Sequence, residues 1–492
     1  MIKVHRPAAL TRRKLVLPAA LAASALALAA CSSSSHKATS PTSSSPAPTS
    51  SAPSASAGSG SSAPTSSAPS SSAPSSASPA SYGFNAATQD PTSAITVWID
   101  ATRQPAVDAF KKAHPEIKVN AVTYDGGANG SGSFQTKITA DDQAGSGWPD
   151  VVWSTQNNDA SWASQGKTPF AAPLNKGYFE QSFLDGFTPG ALAPVTINGT
   201  VYGLRNDLAA TVTWYDTSLM TKFGYTPPKK WEDYLALGQK VAKEHPGYIV
   251  GDVGDPWAPE VYFWGAKAPM NTVTGTTGFS ANAADPKSVQ MATLLDTLIK
   301  AGSISQDSVF GADFIKKYTG KVLMLPGPVW YSGALFQNNK SLNSKAGTID
   351  PGLPLSWSGD TPAAGNVGGG TWFVSQHSKN LAAAKTFMEF VTSADDYQVD
   401  LAPGLPAYKS AGDKWLAKQA TSNFFTPDFA SNISTAAGQV WTGWGYPNFS
   451  QEAVWAKAVT PGLAAGKSLV SLLPSWQKAL DNQATVNGYT VN

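Results

Sequence analysis

Hydrophobic positions begin to recur with regular periods once the chain passes about residue 92. Ile95-Thr96-Val97-Trp98-Ile99 is a short apolar run that predicts a strand, and Pro105 to His114 places Val107 and Phe110 on one helical face before Pro115 ends it. Ile117 to Val122 predicts a second strand, Phe134 to Gln143 a second helix, and Pro149-Asp150-Val151-Val152-Trp153 a third, buried strand. This β-α-β-α-β order predicts an α/β protein with a doubly wound sheet. Farther on, Trp231, Tyr234, Leu235, Gly238 and Val241 recur at helical spacing, as do Leu381, Ala384, Met388 and Val391. Both stripes predict faces turned to a core rather than sites.

The chain before that point has a different character. Lys3, Arg6, Arg12, Arg13 and Lys14 form a basic stretch, followed by an apolar run from Leu15 to Ala30, which reads as a secretory signal peptide over residues 1–30. The apolar run is shorter than the ~20 residues a spanning helix needs. Leu28-Ala29-Ala30-Cys31 holds the only cysteine of the chain and resembles a bacterial lipobox, which implies lipidation of Cys31 and a membrane anchor on the outer face. The alternative is a plain export leader with an incidental cysteine. Thr11 to Leu15 also faintly resembles a twin-arginine signal. Ser32 to Ser81 is almost entirely Ser, Ala, Pro and Thr, too poor in apolar surface to offset the entropy of ordering, so residues 31–91 read as a lipidated cysteine and a spacer.

From about Thr92 to Asn492 the chain exceeds the size at which one core keeps growing, and two lobes are expected. Removing the leader's five basic residues leaves 30 Lys and Arg against 33 Asp and Glu, a balance that offers nothing to a nucleic acid. Catalytic signatures are absent: no Gly-x-Ser-x-Gly elbow, no His-Glu-x-x-His helix, no Gly-Lys-Ser phosphate loop, and no motif for a metal or cofactor. His114 and His245 precede prolines at expected helix ends, where a cation suits the helix dipole, and His377 stands alone.

Ordered segments across some four hundred residues carry a resemblance. They include Ile95-Thr96-Val97-Trp98, Phe110 through His114-Pro115-Glu116-Ile117-Lys118-Val119, and Gly147-Trp148-Pro149-Asp150-Val151-Val152. Tyr202-Gly203-Leu204, Trp214-Tyr215-Asp216, Pro228 with Trp231-Glu232-Asp233, Gly320 to Met324, Gly327-Pro328-Val329-Trp330 and Ser378-Lys379-Asn380 follow in order. From Ile95 onward the chain resembles the extracellular solute-binding proteins of family 1, carbohydrate receptors of bacterial ABC importers related to maltose-binding protein. The resemblance implies a two-lobed, periplasmic-binding-protein-like α/β fold with an interlobe hinge and ligand cleft. It implies lobes of residues 92–206 with 361–406 and of 207–359 with 407–492, a monomer, and a permease as partner.

A pyranose offers a weakly apolar CH face and a rim of hydroxyls, so its receptor needs aromatic plates and planar polar groups. Asp255-Pro256-Trp257 matches the family segment where a carboxylate, a proline and an aromatic residue meet sugar, and Trp330 aligns near a second stacking aromatic. Asn157 matches a position that is acidic in the family, and Asp100 with Arg103 matches a further polar cluster, the alternative for those two being helix capping. Gly368-Gly369-Gly370-Thr371-Trp372 either permits close backbone approach and presents Trp372 to ligand near an interlobe crossing, or only makes a tight turn. The ring-dense loop Trp441-Thr442-Gly443-Trp444-Gly445-Tyr446 either caps the cleft or seals the second lobe, and Asp207 faces ligand or pairs with Arg205. Lys230 stands where the family often has a capping threonine. The function expected is carbohydrate capture by hinge closure, without catalysis; the alternatives are a tethered glycan hydrolase and a receptor for another solute.

Overall fold

The computed structural model describes residues 82–84, 87–126, 132–166 and 169–492. The leader, Cys31 and the Ser32 to Ser81 spacer lie outside the described residues. No helix among the described residues is long and apolar enough to cross a membrane.

β1 (Ile95–Ile99) lies between β2 (Val119–Thr123) and β3 (Val151–Ser154), parallel to both. The crossovers between them carry α1 (Gln104–Ala113) and α2 (Ser133–Ala144). α1 buries Ala106, Val107 and Phe110, and α2 buries Phe134 and Ile138, so each helix turns its few large apolar residues inward. The expected β-α-β-α-β order is therefore present, with element ends displaced by one or two residues. Two later segments extend the same sheet in the antiparallel sense: Thr371–Val374 pairs with β3, and Leu204–Arg205 pairs with Thr371 and Trp372.

A second hydrophobic core lies around an antiparallel sheet in which Thr211–Asp216 runs between Met324–Pro328 and Ile349–Gly352. The helix Trp231–Glu244 buries Trp231, Tyr234, Gly238 and Val241 against it, as its spacing predicts. No side chain caps that helix at Lys230; its first N–H donates to the Ser356 carbonyl at 3.1 Å. Leu381–Ser393 instead belongs to the first core, where Leu381, Ala384, Met388 and Val391 are buried and Asn380 accepts from the Ala383 N–H.

Three backbone passages join the cores. Leu204 packs in the first core and Ala210 in the second; Val367 packs in the second and Trp372 in the first; Leu405 packs in the second and Ala407 in the first. The passages bond to one another: Asp207 N–H to Gly369 O at 3.0 Å, Val367 N–H to Ala209 O at 3.0 Å, and Asp207–Leu208 antiparallel to Leu405–Pro406. In the middle passage Gly368, Gly369 and Gly370 all have positive φ, at 68°, 92° and 55°. The run is more than a turn. A Cβ would lie 2.2 Å from the Arg205 guanidinium at Gly369 and 1.7 Å from the Trp153 ring at Gly370.

Gly370→Ala should therefore destabilise the protein by roughly 2–4 kcal/mol, combining a strained φ with a clash against a fully buried indole. Gly275→Ala, at φ 60° with nothing within 4 Å of the added carbon, should cost about 1 kcal/mol. Denaturant melts of the two variants check the difference, and equal costs would show that close approach to Trp153 is not what selects glycine.

Candidate functional site

Strand β3 ends at Ser154 and delivers Gln156, Asn157 and Asn158 to the gap between the cores, at the carboxyl end of the parallel strands. From the second core come Glu260 on the helix Ala258–Tyr262, then Trp264 and Asn271, the loop Trp444 to Pro447, and Gln451 with Glu452 at the start of the helix Gln451–Ala458. These residues line a gap with about 10 Å³ of free space, room for roughly one water. Small-molecule sites of ~300–1,000 Å³ are far larger, so any ligand needs the lobes to part.

Four hydrogen bonds close the gap. Gln156 Nε2 donates to Glu452 Oε2 at 3.1 Å, Ser450 Oγ to Gln156 Oε1 at 3.1 Å, Ser161 Oγ to the Tyr446 carbonyl at 2.6 Å, and Asn448 Nδ2 to Gln165 Oε1 at 3.0 Å. Trp444 stacks on Trp264 with centroids 5.4 Å apart and planes 9° from parallel, and both buried rings line the same gap as the planar amides. Such a pairing of plate and amides suits one face and one rim of a sugar ring.

Two acids occupy the floor. Glu260 is 5 % exposed and Glu452 7 % exposed. Burial pushes the Glu260 carboxyl well above the ordinary range and repulsion from Glu452 pushes it further, while a hydrogen bond with Asn157 and the charge of Arg205 act the other way. Burial likewise pushes Glu452 up to about 7, against the Gln156 hydrogen bond. Arg205, itself buried, donates to Asn157 Oδ1 at 3.3 Å, to Thr371 Oγ1 at 3.2 Å and to the Gly368 carbonyl.

Of the residues expected from sequence, Asn157 and Trp444 line this cavity. Trp441 stands behind it, its carbonyl accepting from Trp264 Nε1 at 2.7 Å. Trp257 and Trp330 come together in a separate aromatic group, centroids 6.1 Å apart, with Phe310 nearly parallel to Trp330 at 6.1 Å and 41 % exposed. Their indole N–H groups are engaged by Tyr331 Oη at 2.9 Å and the Val367 carbonyl at 2.9 Å, respectively. Asp255 is buried and accepts from the Val309 N–H at 3.0 Å, which makes it a loop brace beside Trp257.

Asp207 does not pair directly with Arg205. It accepts from Asn206 Nδ2 at 3.1 Å, and the charges of Arg103 and Arg205 partly counter the burial that raises its pKa. Asp100 caps the turn at Thr102 and accepts from Trp153 Nε1 at 2.8 Å, and Arg103 lies 4.0 Å over the same ring. Trp372 departs from expectation. It is 0 % exposed in the first core, against Trp153 and Phe387, because its strand is covered on both faces.

Gln156, Glu260, Trp264, Asn271, Gln451 and Glu452 were not legible as site residues, whereas Tyr446 belongs to the ring-dense loop expected near the cleft. Glu260 and Trp264 follow Trp257 by three and seven positions, one helical face, and that spacing was the available signal. Glu452 looks like an ordinary acid in a first helical turn after the Ser450 cap, where the dipole favours one anyway.

Glu452, and Asp159, which burial pushes up to about 6, both hold their protons more tightly in the folded protein than in the unfolded chain. Their contribution is therefore fully favourable below about pH 4 and is lost as pH rises through about 6 to 7. The ligand-free protein should melt at a higher temperature at pH 5 than at pH 7.5. Glu452→Gln should flatten that slope and raise stability at pH 7.5 by roughly 1–3 kcal/mol. Melts across this range check it, and an unchanged slope would mean Glu452 stays ionised.

Known proteins share both sequence and fold with this chain. The arabinooligosaccharide-binding protein of Bacillus subtilis (strain 168) is 24% identical over 356 residues, 66% of this chain and 74% of that protein. The ABC-transporter-associated binding protein of B. animalis subsp. lactis Bl-04, solved with β-1,6-galactobiose, superposes with a TM-score of 0.67 at 22% identity, covering 81% of this chain and 99% of the other. The galacto-N-biose/lacto-N-biose I-binding protein of Bifidobacterium longum, solved with lacto-N-biose, gives 0.66 at 19% identity over 82% and 100%. Residues 96–398 match the family as a whole, and the chain belongs to the bacterial extracellular solute-binding proteins.

Proposed function

We propose that this protein captures a carbohydrate in the cleft between its lobes and hands it to the permease of an ABC importer. The observation that carries the reading is the lining of the gap, where the stacked Trp264 and Trp444 rings come together with the planar amides of Gln156 and Asn157. The named relatives bind arabinooligosaccharide, β-1,6-galactobiose and lacto-N-biose, which supports a sugar of more than one ring. Ligand is taken up with the gap open and retained when the four bonds between residues 156–165 and 446–452 form. The lobes comprise residues 92–206 with 361–406 and 207–359 with 407–492, and the receptor works as a monomer. Lipidation of Cys31 and the 31–91 spacer tether it outside the membrane beside the permease.

The buried Glu260 and Glu452 pair favours one second reading, a glycan hydrolase, since such enzymes work with two carboxylates. A thermal-shift screen against oligosaccharides, followed by chromatography of the recovered sugar, separates them. A receptor raises its melting temperature and returns the sugar intact. Shortened products would establish the hydrolase, and no shift with any carbohydrate would point to another solute.

Two substitutions probe the parts. Trp444→Ala should weaken sugar binding by roughly 2–4 kcal/mol, and Trp444→Phe by less because a ring remains. Calorimetry beside melting of the ligand-free protein reads this; normal affinity with a lowered melting temperature would make Trp444 a core residue only. Cys31→Ser should release the protein from membranes. A variant that still pellets with membranes after a high-salt wash would contradict lipid anchoring.

A further inference from the structure

Two buried acceptor oxygens in the cavity are left open. The amide donors there are engaged by the protein: Gln156 Nε2 by Glu452, Gln451 Nε2 by Asn271 Oδ1 at 2.6 Å, Asn271 Nδ2 by the Gly445 carbonyl at 2.9 Å, and Asn157 Nδ2 by the Asn366 carbonyl at 3.2 Å. The Arg205 guanidinium serves Asn157, Thr371 and Gly368. What remains without a partner is acceptor oxygen: Glu260 Oε2 and Gln451 Oε1, on side chains 5 % and 6 % exposed that both line the cavity.

Burial holds the Glu260 and Glu452 carboxyls toward their protonated forms, and a bound ammonium would favour their ionisation, while the Trp264 and Trp444 rings add electron-rich faces that attract cations. A sugar hydroxyl is both donor and acceptor and offers a single O–H. An ammonium is a donor only, with three N–H groups.

We propose that this cleft selects a ligand bearing a protonated amine, an amino sugar in preference to its hydroxyl counterpart, with Glu260, Glu452 and the Gln451 carbonyl receiving the amine. The proposal rests on the carbohydrate reading above and narrows it to a substrate class. N-acetylation removes both the charge and two of the donors, so an acetylated sugar falls with the neutral ones.

Calorimetric titration at pH 7 with matched sets tests this: glucosamine and glucose, galactosamine and galactose, and the β-1,4-linked glucosamine disaccharide against cellobiose and the diacetylated disaccharide. At least one amine should bind tenfold or more tightly than its neutral partners. That preference should fall below threefold in Glu260→Gln or, if that variant does not fold, in Glu452→Gln. The proposal is overturned if no amine binds more tightly than its neutral partner, if none binds at all, or if the preference survives substitution. Binding of neutral oligosaccharides in those cases leaves the carbohydrate reading standing, whereas failure of every carbohydrate removes both.

Discussion

Burying the Glu260 and Glu452 carboxylates between two lobes carries a desolvation penalty of several kcal/mol per ionised group, and the residues around the cleft are arranged by how that penalty is met. Gln156 crosses from the first lobe to Glu452. Asn157 and Arg205 answer Glu260, and Arg205 is fixed in turn by Gly368 and Thr371 on the returning passage. The glycine run has no side chains because the guanidinium and the Trp153 indole occupy the space they would need. The passages between the cores and the gap thus share one polar network.

Function follows from that sharing. If the bonds from Gln156, Ser161 and Gln165 to the second lobe are the latch, a ligand that satisfies Glu260 and Gln451 strengthens the closed state. Without ligand, an open acceptor weakens it. The differential stability of open and closed forms is then set by a few hydrogen bonds, the scale on which a small ligand can act. The aromatic group of Trp257, Phe310, Trp330 and Tyr331 lies apart from the latch. Its indoles are tied to Tyr331 and Val367, and only Phe310 among its rings is broadly exposed.

Much of the fold was legible because local pattern and tertiary role agree in it. Val107 and Phe110, or Trp231, Tyr234 and Val241, announce their faces by spacing, and the structure buries those faces. Thr371–Val374 pairing with β3, and Leu204–Arg205 pairing with Thr371 and Trp372, was not legible, because partners so far apart in the chain leave no local period. The site was less readable still. Trp372 looked like a ligand-facing candidate because it follows glycines near a crossing, yet Gly369 and Gly370 make room for Arg205 and Trp153. Glu260, Gln451 and Glu452 are ordinary polar helix residues by sequence, and only the closing of one lobe against the other places them in a shared buried space.

The central claim is that ligand occupies the space between the Trp264–Trp444 wall and the Gln156–Asn157 loop. A crystal structure of the protein with the tightest-binding sugar found by thermal shift tests it directly. The account predicts a ring stacked on the face of that wall, with a donor of the sugar within hydrogen-bond distance of Glu260 Oε2. A sugar bound against Phe310 and Trp330 with the Glu260 cavity empty, or one bound outside the cleft, would contradict it.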